Sequence, residues 1–358
     1  MSDFIDDLCK RVELAARNNT QLRPVGGGTK NFYGGPLQGE EVDMRQWAGI
    51  VEYEPTELVI TVKPGTLLAE VEAALAAQKQ ELAFEPPRLG TGGTVGGAIA
   101  SGLAGPARLS RGGVKDYVLG CTLLDGKGQL LHFGGVVMKN VAGYDVARVI
   151  PGSMGTLGIA TELSIKVMPV APAEATLQFE MDVNKAISQS NEWLSKPLPI
   201  SATFFENGNL TVRLRGASAA VQAALKNMGG HEMETQQATT FWTSVRDQQH
   251  EFFTREGDLW RLAVPPTTVD LAMHGQSVHE WGSGLRWFRA DSGTTEDQIR
   301  AMAKRVGGHA TLYRTANSAA RQHAFQQPDA VMLKLQRRLK EQFDPAGVFS
   351  INRLSPIL

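Results

Sequence analysis

Three glycine-rich stretches constrain this chain more than anything else in it: VGGGTKN at 25–31, GTGGTVGG at 90–97 and GSMGTLG at 152–158. The second opens a longer run, TGGTVGGAIASGLAGP, with six glycines in residues 91–106 and no charge across 89–107. A charge-free run of that length invites comparison with a membrane span. Spanning helices, however, are built from bulky apolar residues, and this run is mostly glycine and alanine closed by Pro106. Each glycine also costs a helix about 1 kcal/mol relative to alanine. The run therefore reads as backbone that something must approach closely. Successive N–H groups freed of side-chain bulk form concave nests for phosphate oxygens, and glycine supplies the positive-φ conformations such nests use. A single cluster reads first as a tight turn. Three clusters in one half of the chain, each with a hydroxyl beside it (Thr29, Thr94, Thr156), instead predict loops that grip a diphosphate together.

The common nucleotide fingerprints are absent. G-x-G-x-x-G fails because the third glycine after Gly90 and Gly92 would be residue 95, which is Val95, and no G-x-x-x-x-G-K-[ST] occurs. Three His-Glu pairs, at His231, His250 and His279, lack the second histidine of a zinc-protease helix. No metal site is expected. Rossmann and P-loop architectures are thereby disfavoured.

At 358 residues the chain has room for two domains. A net charge of −1 gives no field that would draw it to nucleic acid or an anionic membrane. Cys9 and Cys121 form no disulfide framework and no CxxC. The N-terminal MSDFIDDLCKRVELAARNN carries acids early and predicts an amphipathic helix rather than a signal peptide, so a cytoplasmic location is expected.

The first half alternates short strands, glycine loops and helices. Strands are expected at 21–25, at 57–63 before Pro64-Gly65, and at 158–167 before Met168-Pro169. Thr66 is the expected N-cap of LLAEVEAALAAQ, whose Leu68, Val71 and Leu75 share one face. Residues 117–124 and 129–133 flank Asp125-Gly126-Lys127-Gly128 as a hairpin. After residue 170 the pattern becomes β-α-β-β-α-β. It includes strictly alternating ATLQFEMD, a hairpin about Asn207-Gly208, and helices ending at Gly229-Gly230 and Gly307-Gly308. A last helix near 329–343 places Val331, Leu335, Leu339 and Phe343 on one side and stops at Asp344-Pro345. The fold class expected is α+β. A first domain of two α/β subdomains spans 1–170, a smaller lobe with a helix-covered antiparallel sheet spans 171–330, and a helix and tail at 331–358 return to the first domain.

The ordered series RPVGGGTKN, ELVITVKPGTLLAEVEAAL, GGTVGGAIASGLAGP, SRGGVKDYVLG, MKNVAGYDVARVIPGSMGTLGIATELSIKVMP and FDPAGVFSINR resembles the FAD-binding domain of the vanillyl-alcohol oxidase and p-cresol methylhydroxylase (PCMH) class. WGSGLRWFR and GGHATLYR extend the resemblance to the FAD-binding subunits of bacterial glycolate oxidases (glycolate dehydrogenases), and it then spans nearly the whole chain. The resemblance implies FAD as cofactor. It implies that Gly26, Gly27, Gly28, Thr29 and Lys30 form a first diphosphate loop, and that Gly90, Gly93, Thr94, Gly96 and Gly97 form a second. Ala100 and Ser101 would face the flavin, Gly143, Asp145, Gly155, Gly158 and Ile159 would close over the adenosine half, and Asn352 would return to the cofactor. Asp145 reads equally as a helix cap. Relatives with covalent flavin carry a histidine after the first loop or a cysteine at the second. Here those regions hold Thr29-Lys30 and Phe84-Glu85-Pro86, so non-covalent FAD is expected. Cys121 reads as a small core residue.

Oxidation of a hydroxy acid needs a base and a cationic anchor for the carboxylate. Arg286 and Arg289 are the anchor candidates and His309 the candidate base. Their structural alternatives are an acid paired with Arg286 across the sheet and helix-end carbonyls satisfied by His309. Catalytic relatives carry a Glu-His pair in the substrate lobe, whereas this chain has none and scatters its seven histidines. The expectation is an FAD subunit of a complex that oxidises glycolate or D-lactate. Its implied partners are a second FAD subunit and an iron–sulfur subunit, through which any membrane association would arise. The alternatives are a self-sufficient FAD oxidoreductase of a small hydroxy acid or alcohol, and a scaffold that has lost its flavin.

Overall fold

The acidic N-terminal stretch folds as the helix Asp3–Asn18, which buries Ile5, Leu8, Val12 and Ala15 at helical spacing. The computed structural model describes residues 3–135, 145–350 and 352–355. By internal contacts the chain divides into two units. One comprises Met1–Leu103, Gly113–Pro169 and Ser318–Leu358, and the other comprises Ala104–Gly112 and Val170–Asn317.

In the first unit the strand Leu22–Val25 pairs in parallel with Glu40–Asp43. The C-terminal segment lies on its other side: Leu22 N–H donates to Val348 O at 2.7 Å, and Ser350 N–H donates to Leu22 O at 3.2 Å. Leu8, Val12, Leu22, Val42, Val348 and Phe349 form one core from three distant pieces of sequence. Beside this small parallel pair the unit builds an antiparallel five-stranded sheet. Its order is Ile50–Glu54, Val59–Val62, Ile159–Lys166, Val118–Leu124, Leu130–Gly134. The expected hairpin is held by Asp125, whose carboxylate accepts from the N–H groups of Lys127 and Gln129 at 2.9 Å each. Cys121 lies buried in this sheet, and burial pushes its thiol up to about 12.

Thr66 does not cap the helix Leu68–Ala77; that position is Leu67, which makes no side-chain cap bond. The Thr66 hydroxyl instead donates to Lys63 O at 2.7 Å and accepts from Gly49 N–H at 2.8 Å, closing the Pro64-Gly65 turn. The helix is fixed by burial of Leu68, Val71 and Leu75. A second departure is the final helix, Ala330–Phe343. Phe343 is buried, but Val331 is 72% and Leu335 51% exposed, so the apolar face read from the sequence turns largely to solvent.

The second unit is an eight-stranded antiparallel sheet. Its order is His231–Glu232, Ala173–Glu180, Asn209–Gly216, Ile200–Glu206, Gly275–Glu280, Leu285–Ala290, Leu259–Ala263, His309–Arg314. The Asn207-Gly208 turn has positive φ at both residues, the twist that suits a two-residue hairpin. Helices Val183–Leu194 and Ser218–Met228 bury Ala186, Trp193, Val221 and Ala224 against the sheet's apolar residues. The class is α+β. No helix among the described residues is long and apolar enough to cross a membrane.

Candidate cofactor-binding site

The strand Leu22–Val25 ends where the first glycine cluster begins, and the chain turns there because the next residues carry no bulk. A Cβ on Gly27 would overlap the carbonyl oxygen of Gly92, and one on Gly26 would overlap the Thr94 hydroxyl. These two glycines thus admit the second loop against the first. Gly28 has φ +68°, and its carbonyl accepts from Asn31 N–H at 3.0 Å. Among the described residues the N–H groups of Gly27, Gly28 and Thr29 donate to no acceptor of the chain. Three consecutive unspent amides are the donor set of an anion nest.

Thr94 caps the short helix Val95–Ser101 by accepting from Gly97 N–H at 3.2 Å. Gly96 packs on Pro64, where a Cβ would sit 2.6 Å from the proline Cβ. A Cβ on Gly97 would meet only the Thr94 hydroxyl, so Gly97 is open wall. The third cluster is tied to this helix by Met154 N–H donating to Ala100 O at 2.9 Å and Gly152 N–H to Ile99 O at 3.1 Å. All three clusters therefore converge. They line two adjoining open cavities, one along the first loop and one beneath the helix and third cluster. The two share Pro24, Val25, Gly26, Thr94, Gly97, Ala100 and Met154 as walls.

Of the residues the sequence singles out, Gly26, Gly27, Gly28, Thr29, Lys30, Thr94, Gly97, Ala100 and Ser101 line the first cavity. Gly96, Gly155, Gly158 and Ile159 line the second. Gly90 and Gly93 line neither: Gly90 abuts the Thr29 side chain, and Gly93 O accepts from Leu68 N–H at 2.9 Å. Asp145 also lies outside both and pairs with Arg148 at 2.7 Å, with no cap bond to the following turn. Asn352 donates its side-chain amide to Gln38 at 3.0 Å; its neighbours Ser350 and Arg353 reach the cavity instead. Gly143 lies outside the described residues.

Two cations of this site were not singled out from the sequence. Arg23 and Arg353 join Lys30 as walls of the first cavity, and no local pattern marks either arginine. Arg23 pairs with Glu41 at 2.5 Å, while its Nε is buried without a partner. Arg353 is buried and held below the ordinary arginine range, to about 10, first by desolvation and then by Arg321 and Arg23. Open amides, cations and a mostly apolar second chamber form a donor set suited to a dinucleotide, with its diphosphate at the first loop. No histidine or cysteine lines either cavity among the described residues.

Residues 4–134 match the FAD binding domain family. Over 353 residues the chain is 41% identical to glycolate oxidase subunit GlcE of Escherichia coli (strain K12), a match covering 98% of this chain and 97% of that one. The chain belongs to the GlcE family of glycolate oxidase subunits. It is also 28% identical over 259 residues to glycolate oxidase subunit GlcD of Bacillus subtilis (strain 168), which covers 71% of this chain and 54% of that protein. Similarity to a D-lactate dehydrogenase of Anaerostipes hadrus, 30% over 175 residues, covers 48% of this chain and 36% of the other. Among solved structures, an alkyldihydroxyacetonephosphate synthase superposes over 96% of this chain and 73% of its own, with TM-score 0.66 at 15% identity, which shows a shared fold.

The three catalytic candidates lie in the second unit, where Arg289 is buried and donates to the carbonyls of Phe252, Phe253, Glu256 and Gly257. Arg286 is 2% exposed and donates Nε to Ser283 O at 3.2 Å, Nη1 to Val269 O at 3.0 Å and Nη2 to Thr268 O. Its partners are backbone carbonyls rather than the cross-strand acid considered from the sequence, and desolvation lowers it to about 10. His309 begins the strand His309–Arg314 and is exposed. The helix carbonyls it was considered for, at Ala303 and Lys304, are taken by the N–H groups of Gly308 and Gly307. Desolvation, then Arg261, holds its imidazole below the usual range.

Proposed function

We propose that this chain is the FAD-carrying subunit of a multi-subunit dehydrogenase that oxidises glycolate or a similar small 2-hydroxy acid and passes the electrons to an iron–sulfur partner. The observation that carries the reading is the row of undonated amides at Gly27, Gly28 and Thr29, facing a cavity shared by three glycine loops. In this reading those amides and Lys30 hold the diphosphate. Thr94, Gly97, Ala100 and Ser101 form the wall beside it, and Gly155, Gly158 and Ile159 enclose the adenosine half. Bound FAD supplies a two-electron acceptor for the hydroxy acid; the chain's own residues bind it, orient it and exclude water. Cavity walls that hold no histidine or cysteine among the described residues support non-covalent attachment.

Two cysteines are too few for an iron–sulfur cluster, which this reading therefore assigns to a partner, together with a second flavin subunit that hosts substrate. The carbonyl bonds of Arg286 support leaving the carboxylate anchor to that partner. Purified chain should show a flavin absorbance band that is released into the supernatant on acid precipitation. Added glycolate should bleach it only when the companion subunits are present. Bleaching by the isolated chain would make it a self-sufficient oxidoreductase, and a colourless chain that takes up no FAD would make it a scaffold.

A further inference from the structure

Arg353 follows Ser350, the end of the tail segment that flanks the parallel strand pair, by three residues, and its side chain turns back onto the turn after the first glycine loop. Its Nη2 donates to Tyr33 O at 2.5 Å and its Nη1 to Gly35 O, while its own carbonyl accepts from Gly35 N–H at 2.9 Å. Gly34 and Gly35 permit this approach; a Cβ on Gly35 would overlap the Asn352 carbonyl. The turn that follows the nest is thus clamped between both faces of Arg353. Arg321 donates to the same turn, to Asn31 O and, at 3.4 Å, to Gly34 O and Gly35 O. Arg321 does not line the cavity; Arg353 and Arg23 do.

Carbonyl bonds explain how Arg353 is held but leave its charge unmatched. Among the described residues Arg353 makes no ion pair, and Glu41, the partner of Arg23, is 65% exposed and so well screened. A buried, unpaired guanidinium beside two others is costly, and the cost falls when an anion enters. Arg23 bonds no part of that turn: it pairs with Glu41, lines the same cavity as Arg353, and keeps a buried Nε without a partner.

We propose that Arg353, aided by Arg23, is a positioning residue that matches the cradle to a diphosphate rather than a monophosphate and couples occupancy of the cradle to docking of the C-terminal tail. This rests on the FAD reading above. With the site filled, the ligand's two charges face two guanidiniums and Lys30. A monophosphate at the nest would leave the second guanidinium unmatched.

The test uses the full-length chain stripped of flavin, with thermal melting and equilibrium titration against FAD, ADP, AMP and inorganic pyrophosphate. The wild type should be stabilised by pyrophosphate and should bind ADP at least tenfold more tightly than AMP. Arg353→Gln should weaken FAD about 10- to 100-fold, bring the ADP-to-AMP ratio near one, and flatten the salt dependence of ADP binding. Arg353→Lys should recover part of the ratio. Arg321→Gln, which loosens the same turn outside the cavity, should lower the melting temperature and leave the ratio unchanged. If Arg353→Gln fails to fold, Arg23→Gln reports on the same ratio. An unaltered ratio and unaltered FAD affinity in Arg353→Gln or Arg23→Gln would overturn the inference while leaving the FAD reading intact. A wild-type chain that binds neither FAD nor ADP would overturn both.

Discussion

At Gly27 the missing side chain serves the protein before it serves a ligand, because the Gly92 carbonyl occupies the space a Cβ would need. Gly97, in contrast, presents open wall to the cavity. The two glycines look alike in sequence, and only the fold distinguishes a loop that must admit another loop from one that stands open to the cavity. Gly27→Ala should destabilise the flavin-free chain by about 1–3 kcal/mol through overpacking. Gly97→Ala should melt near wild type yet bind FAD several-fold more weakly; equal melting of the two variants would refute the distinction. His279 illustrates a residue the sequence reading touched only as part of a His-Glu pair. It is 2% exposed, with its Nδ1 unpartnered, opposite Arg286 in the sheet, and burial lowers it from 6.5 to about 3. The unfolded chain therefore takes up this proton well before the folded one. Its contribution to stability is complete above about pH 6.5 and should be lost at up to about 1.4 kcal/mol per pH unit as pH falls toward 3. Urea midpoints measured at pH 7 and pH 5 should converge for His279→Phe relative to wild type.

Elements with a strong period were legible. The amphipathic first helix, the strand after Glu57, the hairpins at Asp125 and Asn207, and the helix ending at Gly307-Gly308 all follow from local chemistry that nothing distant opposes. Thr66 was misread because a hydroxyl one residue early finds backbone partners in the preceding turn. The final helix shows a different limit: a 3.6-residue period marks an apolar face but does not say that a neighbour covers it. Its attachment is concentrated at its end. Lys340 Nζ donates to Asp344 at 2.5 Å, to Thr156 O at 2.7 Å and to Phe349 O at 2.9 Å, and the Asp344 carboxylate accepts from Val348 and Phe349 N–H groups at 2.8 Å. Asp344 is wholly buried, so removing its charge strands an ammonium that burial already disfavours. Asp344→Asn should cost about 3–5 kcal/mol. Val331→Ser and Leu335→Ser, on the exposed face, should each stay within about 0.5 kcal/mol of wild type. Chemical denaturation of the three variants checks the contrast.

For the whole molecule, a unit assembled from three stretches of chain has a site no single stretch contains. The nest comes from residues 26–29, the wall from 94–101, the second chamber from 150–159 and the charge partly from Arg353. Composition shifts near residue 170 because strands there alternate apolar and polar, a local property of a half-buried sheet. That Ala104–Gly112 joins the second unit has no such signal, since its contacts are made with residues more than ninety positions away, as when Trp281 Nε1 donates to Gly105 O at 3.0 Å. The convergence of four segments makes a prediction that no one of them makes alone. If they form one cofactor site, FAD should slow amide hydrogen exchange in all four together, including the tail, with the largest effect at Gly27, Gly28 and Thr29, whose N–H groups otherwise donate to nothing among the described residues. In Arg353→Gln the tail should lose that response first. Protection of the first loop without protection of 350–353 would separate the tail from the site, and the clamp would then be a feature of folding alone.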